Sequence, residues 1–274
     1  MAHMSKGVLY DGTRCIGCRA CSVACKSWNR KPDDPEEKVS VQGGIEGKAV
    51  LSYKTYTFMR YREVGEGDDF KWAFVKIQCM HCEHPACVTA CIVGALRKDG
   101  ETGAVVYDRG ACIGCRYCMV ACPFGVPTYE WDRPSPWIKK CTFCADRQNG
   151  NDSEPGGVLH PACVTTCPTG ALHFFEGTED VSGRDQAIEE AHRRIDASPG
   201  RYYDHVYGEN EAGGTDWIYI SNVAPEDLDL PEVTDESVPT NAHKAMGTLP
   251  YYAAGVIGLM AAVYWVTKRK QKIA

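Results

Sequence analysis

An α+β domain followed by a single membrane-crossing helix is the architecture this sequence predicts, and three observations predict it. The sixteen cysteines fall into four groups of four, all before residue 168. Short stretches of strand and helix periodicity are scattered between and after them, too brief for an all-helical bundle or a large sheet. Near the C-terminus a run of twenty residues, Thr248 to Thr267, carries no charge.

Composition narrows the class before any motif is considered. The 274 residues are 44% hydrophobic and 24% charged, which suits a folded domain. Sixteen cysteines are too many for catalysis alone, so they form either a disulfide framework or metal ligands. A net charge of −6, with basic residues scattered except at the very end, disfavours a nucleic-acid partner. The chain reaches Cys15 without the apolar run of a secretory leader. Export of this domain would therefore depend on another chain's leader or on one that has been removed, and Met1-Ala2-His3-Met4 resembles a cloning remnant.

Between the first two cysteine groups, the alternating run Tyr53-Lys54-Thr55-Tyr56-Thr57-Phe58-Met59-Arg60-Tyr61 predicts a half-buried strand inside an insertion of about residues 30–76. After Cys167, apolar Ala187, Ile188, Ala191 and Ile195 recur at helical spacing, so a surface helix is expected over Asp185 to Ala197, stopped by Pro199-Gly200. Trp217 to Val223 reads as a strand, and the acidic, proline-bearing stretch from Pro225 to Asn241 reads as an extended linker.

The uncharged run is long enough to cross the roughly 30 Å hydrocarbon core of a bilayer. Tyr251 and Tyr252 near one end, with Tyr264 and Trp265 near the other, form the aromatic pair of belts that argues against a buried core helix. Lys268, Arg269, Lys270 and Lys272 follow at once, which places the C-terminus in the cytoplasm and the cysteine domain on the outer, periplasmic face. The expected division is thus a cysteine domain over residues 8–180, a helix, strand and linker over 181–247, a transmembrane helix over 248–267 and a basic tail over 268–274.

Spacing decides what the cysteines do. Cys15-Ile-Gly-Cys18-Arg-Ala-Cys21-Ser-Val-Ala-Cys25 and Cys112-Ile-Gly-Cys115-Arg-Tyr-Cys118-Met-Val-Ala-Cys122-Pro123 both follow the bacterial ferredoxin run, in which three thiolates hold one 4Fe–4S cluster and the fourth ligates its neighbour. The second group, Cys79, Cys82, Cys87 and Cys91, widens the middle gap, and the fourth is Cys141, Cys144, Cys163 and Cys167. Four groups of four give four clusters with no cysteine left over, and hence a tandem bacterial-ferredoxin-like domain in which each motif needs a partner. Gly17 and Gly114 ease the bend of a loop around the cluster. The fourth group alone could pass for two zinc-binding pairs, but a Cys-x-x-Cys-x-x-Cys-x-x-x-Cys run makes a poor tetrahedral site. Disulfides rank last, because so many close spacings make strain-free pairing awkward.

His81 and His84 lie inside the second motif as loop residues or outer donors rather than ligands, since four cysteines are already present. Arg19, Lys76, Arg116, Lys139 and Lys140 sit beside ligands, where positive charge would stabilise reduced clusters; for any one of them, an ordinary solvated side chain is an equal alternative.

Over residues 8 to 175 the four motifs and their order resemble the iron–sulfur beta subunits of the molybdopterin oxidoreductases and of membrane-bound hydrogenases. The run from Cys15 through Lys26-Ser-Trp28-Asn29 and the run Lys140-Cys141-Thr-Phe-Cys144-Ala-Asp146-Arg147 are similar to the respiratory formate dehydrogenase beta subunit. Gly213-Gly214-Thr215 and Leu228-Asp229-Leu230-Pro231, with one membrane helix, are as similar to the beta subunit of periplasmic-facing nickel–iron hydrogenases.

The resemblance implies four ligand sets. Cys15, Cys18, Cys21 and Cys167 would hold the first cluster, and Cys25, Cys141, Cys144 and Cys163 the second. Cys79, Cys82, Cys87 and Cys122 would hold the third, and Cys91, Cys112, Cys115 and Cys118 the fourth. It also implies electron relay from a large catalytic subunit, carrying either a molybdenum or tungsten bis-pterin or a nickel–iron centre, to a membrane cytochrome b or other quinone-reactive subunit. The chain itself would be a conductor without an active site; a stand-alone membrane-anchored polyferredoxin is the alternative from another class. One departure is visible: the family has proline after the fourth cysteine of the second motif, where this chain has Ile92, so a looser turn is expected there. The first motif likewise has Lys26, which the family allows.

Overall fold

The computed structural model describes residues 5–29, 50–131, 136–148 and 160–271. Met1 to Met4, the early part of the expected insertion and Lys272 lie outside the described residues.

Side-chain alternation builds the central sheet. Strand β1 (Gly7–Asp11) pairs antiparallel with β8 (Leu172–Phe175) and parallel with β9 (Trp217–Ile220), in the order β8-β1-β9. Successive residues on a strand face opposite ways. Leu9, Ile218 and Ile220 accordingly bury against Ala187 and Ala191 of helix α6 (Gly183–Ala197), while Val8, Tyr10, Trp217 and Tyr219 enter a second core with Met59, Val75, Met80 and Phe143. Small residues let α6 approach closely: a Cβ on Gly183 would lie 2.2 Å from the Phe175 carbonyl oxygen. The helix starts two residues before the periodicity suggests, because Ser182 caps it by accepting from the Asp185 N–H at 3.0 Å.

Strands β2 (Phe58–Val64) and β3 (Lys71–Ile77) form a hairpin with Phe58 opposite Ile77. The expected strand therefore begins later than Tyr53 and runs beyond Tyr61. The pairing with β3 stops at Phe58 because β3 ends at Ile77, and Ser52 to Thr55 closes a tight turn instead.

Two short hairpins, β4 (Leu96–Lys98) with β5 (Val105–Tyr107) and β6 (Thr128–Tyr129) with β7 (Ile138–Lys139), enclose a third core of Leu96, Val105, Tyr129 and Ile138. Between and around these strands lie helices α1 (Ala20–Trp28), α2 (Ala86–Thr89), α3 (Tyr117–Ala121), α4 (Ala145–Gln148) and α5 (Ala162–Thr165).

The acidic stretch after β9 is not a free extended linker. Leu228 and Leu230 are buried in the core beside Met59, and Arg60 donates to the Asp229 carbonyl at 2.6 Å. Tyr207 donates to the Pro231 carbonyl at 2.8 Å. Apolar side chains at alternate positions dock this segment, and Ser237, 3% exposed, ends it. Helix α7 (Val238–Gln271) then runs for 34 residues, beginning ten residues before the expected span and absorbing Lys268 and Arg269 into its last turns. Its segment Met246–Arg269 is long and apolar enough to cross a membrane, and none of its most apolar window is buried in the protein.

Candidate metal-cluster sites

In each Cys-x-x-Cys loop the residue just before the second cysteine is left-handed: Gly17 (φ 67°), His81 (φ 51°), Gly114 (φ 72°) and Phe143 (φ 58°). In the fourth loop Cys144 (φ 52°) is left-handed as well. The turn reverses the chain and aims backbone N–H groups at sulfur. Gly17 donates to Cys15 Sγ at 3.5 Å, Gly114 to Cys112 Sγ at 3.4 Å and Phe143 to Cys141 Sγ at 3.4 Å. In the first motif the loop is braced by Tyr61, which donates to the Gly17 carbonyl at 2.6 Å and accepts from Arg19 Nε at 2.7 Å. Helix α1 then presents Cys21 and Cys25 four residues apart on one face.

Two cavities open between these elements. One, with about 340 Å³ of empty space, is lined by Cys15, Cys18, Cys21 and Cys167 together with Met59 and Lys76. The other, with about 330 Å³, is lined by Cys25, Cys141, Cys144 and Cys163 together with Lys76 and Trp217. In both, cysteines from the first motif meet cysteines from the last. The middle motifs cross over in the same manner: burial first, then Cys79, Cys122 and Cys87, hold the Cys82 thiol well above its ordinary value. Burial and the Tyr129 hydroxyl set Cys118, with Cys112, Cys115 and Cys91 the next influences on it.

The same electrostatics show which groups adjoin. Cys21 is pushed up to about 11 by burial and senses Cys163; Cys141, also pushed up to about 11, senses Cys79; Cys87, pushed up to about 12, senses Cys118. The last motif thus adjoins the second through Cys141 and Cys79.

The donor set suits a polynuclear iron core better than single ions. Among the described residues no three His, Cys, Asp or Glu side chains converge closely enough for one metal ion; the thiols instead surround open space. Burial favours the protonated form of Cys21, Cys25, Cys82, Cys87, Cys141 and Cys144, and a cationic core would reverse that by taking them as thiolates.

The flanking cations separate into two kinds. Lys76 and Lys140 are buried, and Lys140 Nζ donates to the Val105 carbonyl and, at 3.0 Å, to that of Cys141. Nearer the surface, Arg116 lies over the Trp131 ring and Lys139 pairs with Glu130 at 3.0 Å. His81 is fully buried, accepts from the Val105 N–H at 2.9 Å through Nδ1 and is pushed well below the usual histidine range by burial; His84 is exposed. Without its proline, the turn after Cys91 still closes: Gly94 donates to the Cys91 carbonyl at 3.1 Å, as Gly170 does to Cys167 at 3.4 Å in the proline-bearing copy.

The sequence also carries a short repeat that glycine and cysteine spacing do not reveal. His84-Pro85-Ala86-Cys87-Val88-Thr89 recurs as His160-Pro161-Ala162-Cys163-Val164-Thr165, and the two copies form α2 and α5. With the near-identity of the first and third motifs, it makes the third and fourth motifs a second copy of the first and second.

Loops, crossing cysteines and cavities together define a ferredoxin-type iron–sulfur protein. A sequence model for a 4Fe–4S dicluster domain matches residues 70–177. A protein of Nitratidesulfovibrio vulgaris (strain Hildenborough) is 41% identical over 273 residues, covering 98% of this chain and 69% of that one. Hydrogenase-2 operon protein HybA of Escherichia coli O157:H7 is 36% identical over 271 residues, 89% of this chain and 78% of that one. The iron–sulfur subunit of the nitrate-inducible formate dehydrogenase of Escherichia coli K12 is 36% identical over 261 residues, 92% and 81%. The chain belongs to this family of electron-transfer iron–sulfur subunits of formate dehydrogenase and hydrogenase type.

Proposed function

We propose that this chain holds four 4Fe–4S clusters in line and relays electrons from a catalytic subunit to a membrane module. The observation that carries the reading is the pair of cavities, each lined by four cysteines drawn from the first and last motifs. Cys15, Cys18, Cys21 and Cys167 form the first ligand set, and Cys25, Cys141, Cys144 and Cys163 the second. Cys79, Cys82, Cys87 and Cys122 form the third, and Cys91, Cys112, Cys115 and Cys118 the fourth. The clusters supply one-electron storage at each position.

The residues of the chain do the rest. Crossing cysteines clamp each neighbouring pair together, loop N–H groups stabilise sulfur charge, and the buried aromatic core around Trp217 and Phe143 excludes water. The catalytic partner is a formate dehydrogenase-type subunit with a molybdenum or tungsten bis-pterin; a nickel–iron hydrogenase subunit is the alternative, since both classes occur among the relatives. The membrane partner is a cytochrome b or similar quinone-reactive subunit. Helix α7 anchors the chain, with Lys268 and Arg269 at the cytoplasmic end and the cluster domain on the periplasmic face.

Anaerobic purification of the native complex through a tag on this chain tests the proposal. About sixteen iron atoms per chain are expected. Co-purifying molybdenum or tungsten would assign the formate dehydrogenase type, and nickel the hydrogenase type. Recovery of the chain alone would favour a free polyferredoxin, and a markedly lower iron content would overturn the four-cluster reading.

A further inference from the structure

Among the described residues Lys76, near the end of β3, is the one lysine that lines both cysteine cavities. It is 1% exposed. Its ammonium donates to Gln78 Oε1 at 2.8 Å and lies 4.4 Å from the centre of the Trp217 ring. Gln78 in turn donates to the Tyr219 hydroxyl, which donates to the Lys76 carbonyl at 3.0 Å. This closed ring of bonds fixes where the charge sits. Among the described residues no carboxylate pairs with it.

A buried, unpaired ammonium is costly, by several kcal/mol, unless negative charge compensates it. Compensation falls to the cysteines: Cys21 lines the first cavity, Cys25, Cys141 and Cys163 line the second, and a core that takes them as thiolates would put negative charge beside the ammonium from both sides. Lys140 differs, because its ammonium is engaged by the carbonyls of Val105 and Cys141.

We propose that Lys76 is a shared positioning charge for the first two clusters, raising the reduction potentials of both. The inference rests on the cluster assignment given above. An electron arriving at either position adds negative charge within reach of the same ammonium. Transfer moves one electron from the reduced member of the pair to the oxidised one, with no proton crossing, because the ammonium stays protonated on both sides. Net charge near a cluster is among the determinants of its potential.

The test is a redox titration of the intact complex, followed by the electron paramagnetic resonance of the reduced clusters, for Lys76→Met and Lys76→Arg. In Lys76→Met two of the four cluster signals should titrate at lower potential, each with at least a tenfold smaller reduced-to-oxidised ratio at fixed potential, which is 59 mV for a one-electron couple. The other two should hold, and Lys76→Arg should stay near the parent. No shift, a shift of one cluster alone, or an equal shift of all four overturns the proposal. Should Lys76→Met fail to assemble, lysine-15N labelling of the unaltered protein serves instead: nitrogen hyperfine coupling must appear on two reduced-cluster signals, and its appearance on none or one overturns it. A shortfall of iron in the unaltered complex would count against the cluster assignment and not against the lysine.

Discussion

His81 and Phe143 stack on each other with ring centres 4.9 Å apart and planes 21° from parallel, and both backbones are left-handed. They occupy the same position in their respective loops, just before Cys82 and just before Cys144. In the first and third motifs that position is glycine, which adopts such a conformation freely, whereas a residue with a Cβ loses about 1 kcal/mol or more there. The stack offsets that cost in both loops at once. It also ties the loop of the second ligand set to the loop of the third, at the junction where Cys141 senses Cys79.

Phe143→Ala should therefore reach beyond its own loop. Removing a fully buried ring costs about 3–5 kcal/mol, and here it also frees one face of His81. The apparent thermal midpoint of the cluster-loaded complex should fall, with faster iron release from the second and third ligand sets than from the other two. Uniform release from all four, or an unchanged midpoint, would show that the stack braces nothing.

Gly17 and Gly114 are equivalent in sequence and unequal in space. A Cβ on Gly17 would lie 2.9 Å from ring atoms of Phe74 and Tyr61, while on Gly114 the nearest atom is the Pro136 carbonyl oxygen at 3.9 Å. Both alanine variants carry the backbone cost of about 1 kcal/mol. Gly17→Ala adds overpacking of about 1–3 kcal/mol and displaces the tyrosine that braces the loop. Iron analysis of the purified variants should show Gly17→Ala deficient and Gly114→Ala near full loading; equal deficits would refute the distinction.

Why the sequence discloses some of this and not the rest follows from the range of each interaction. Cysteine spacing is local, so the four groups stand out, and the period of Ala187, Ile188, Ala191 and Ile195 identifies α6 because the sheet lies along one side of it. Lys76 and Arg19 look alike in sequence, both basic and both near cysteines. Only the closing of β9 over β3 places Lys76 beneath Trp217, and that pairing spans more than half the chain. Leu228 and Leu230 sit in an acidic, proline-bearing stretch whose composition describes a linker, and their burial depends on a groove made by β2. His81 and Phe143 carry no glycine to advertise a left-handed turn.

Lys98 links the second motif to the end of the sheet. Its ammonium donates to the carbonyls of His81 and Cys82 at 3.0 and 2.9 Å and to Asp216 Oδ2 at 2.7 Å, and Asp216 is wholly buried. Lys98→Met would strand that carboxylate, and breaking a buried pair from one side costs about 3–5 kcal/mol. Lys98→Met combined with Asp216→Asn removes the stranded charge and should recover part of the loss. Denaturation midpoints of the three proteins decide it: a double variant no more stable than Lys98→Met would place the effect in the lost carbonyl contacts instead.

Removal of iron should divide the fold along its cores. Two of them include cysteines, Cys21 and Cys163 in the large core and Cys87 and Cys118 in the third, so losing a cluster removes both cross-links and packing there. The core beneath α6, made of Leu9, Ala187, Ala191, Val206, Ile218 and Ile220, contains none. Metal binding energy is folding energy for the elements that hold the ligands. After chelation under anaerobic conditions, hydrogen exchange should accelerate first at the amides of residues 15–25, 79–91, 112–122 and 141–144. The amides of Leu9, Ile218 and Ala187 should stay protected longer, because sheet and helix hydrogen bonds over an apolar core without cysteines hold them. Simultaneous loss of protection at both sets would mean that the α6 core depends on the clusters and that the chain unfolds as one unit.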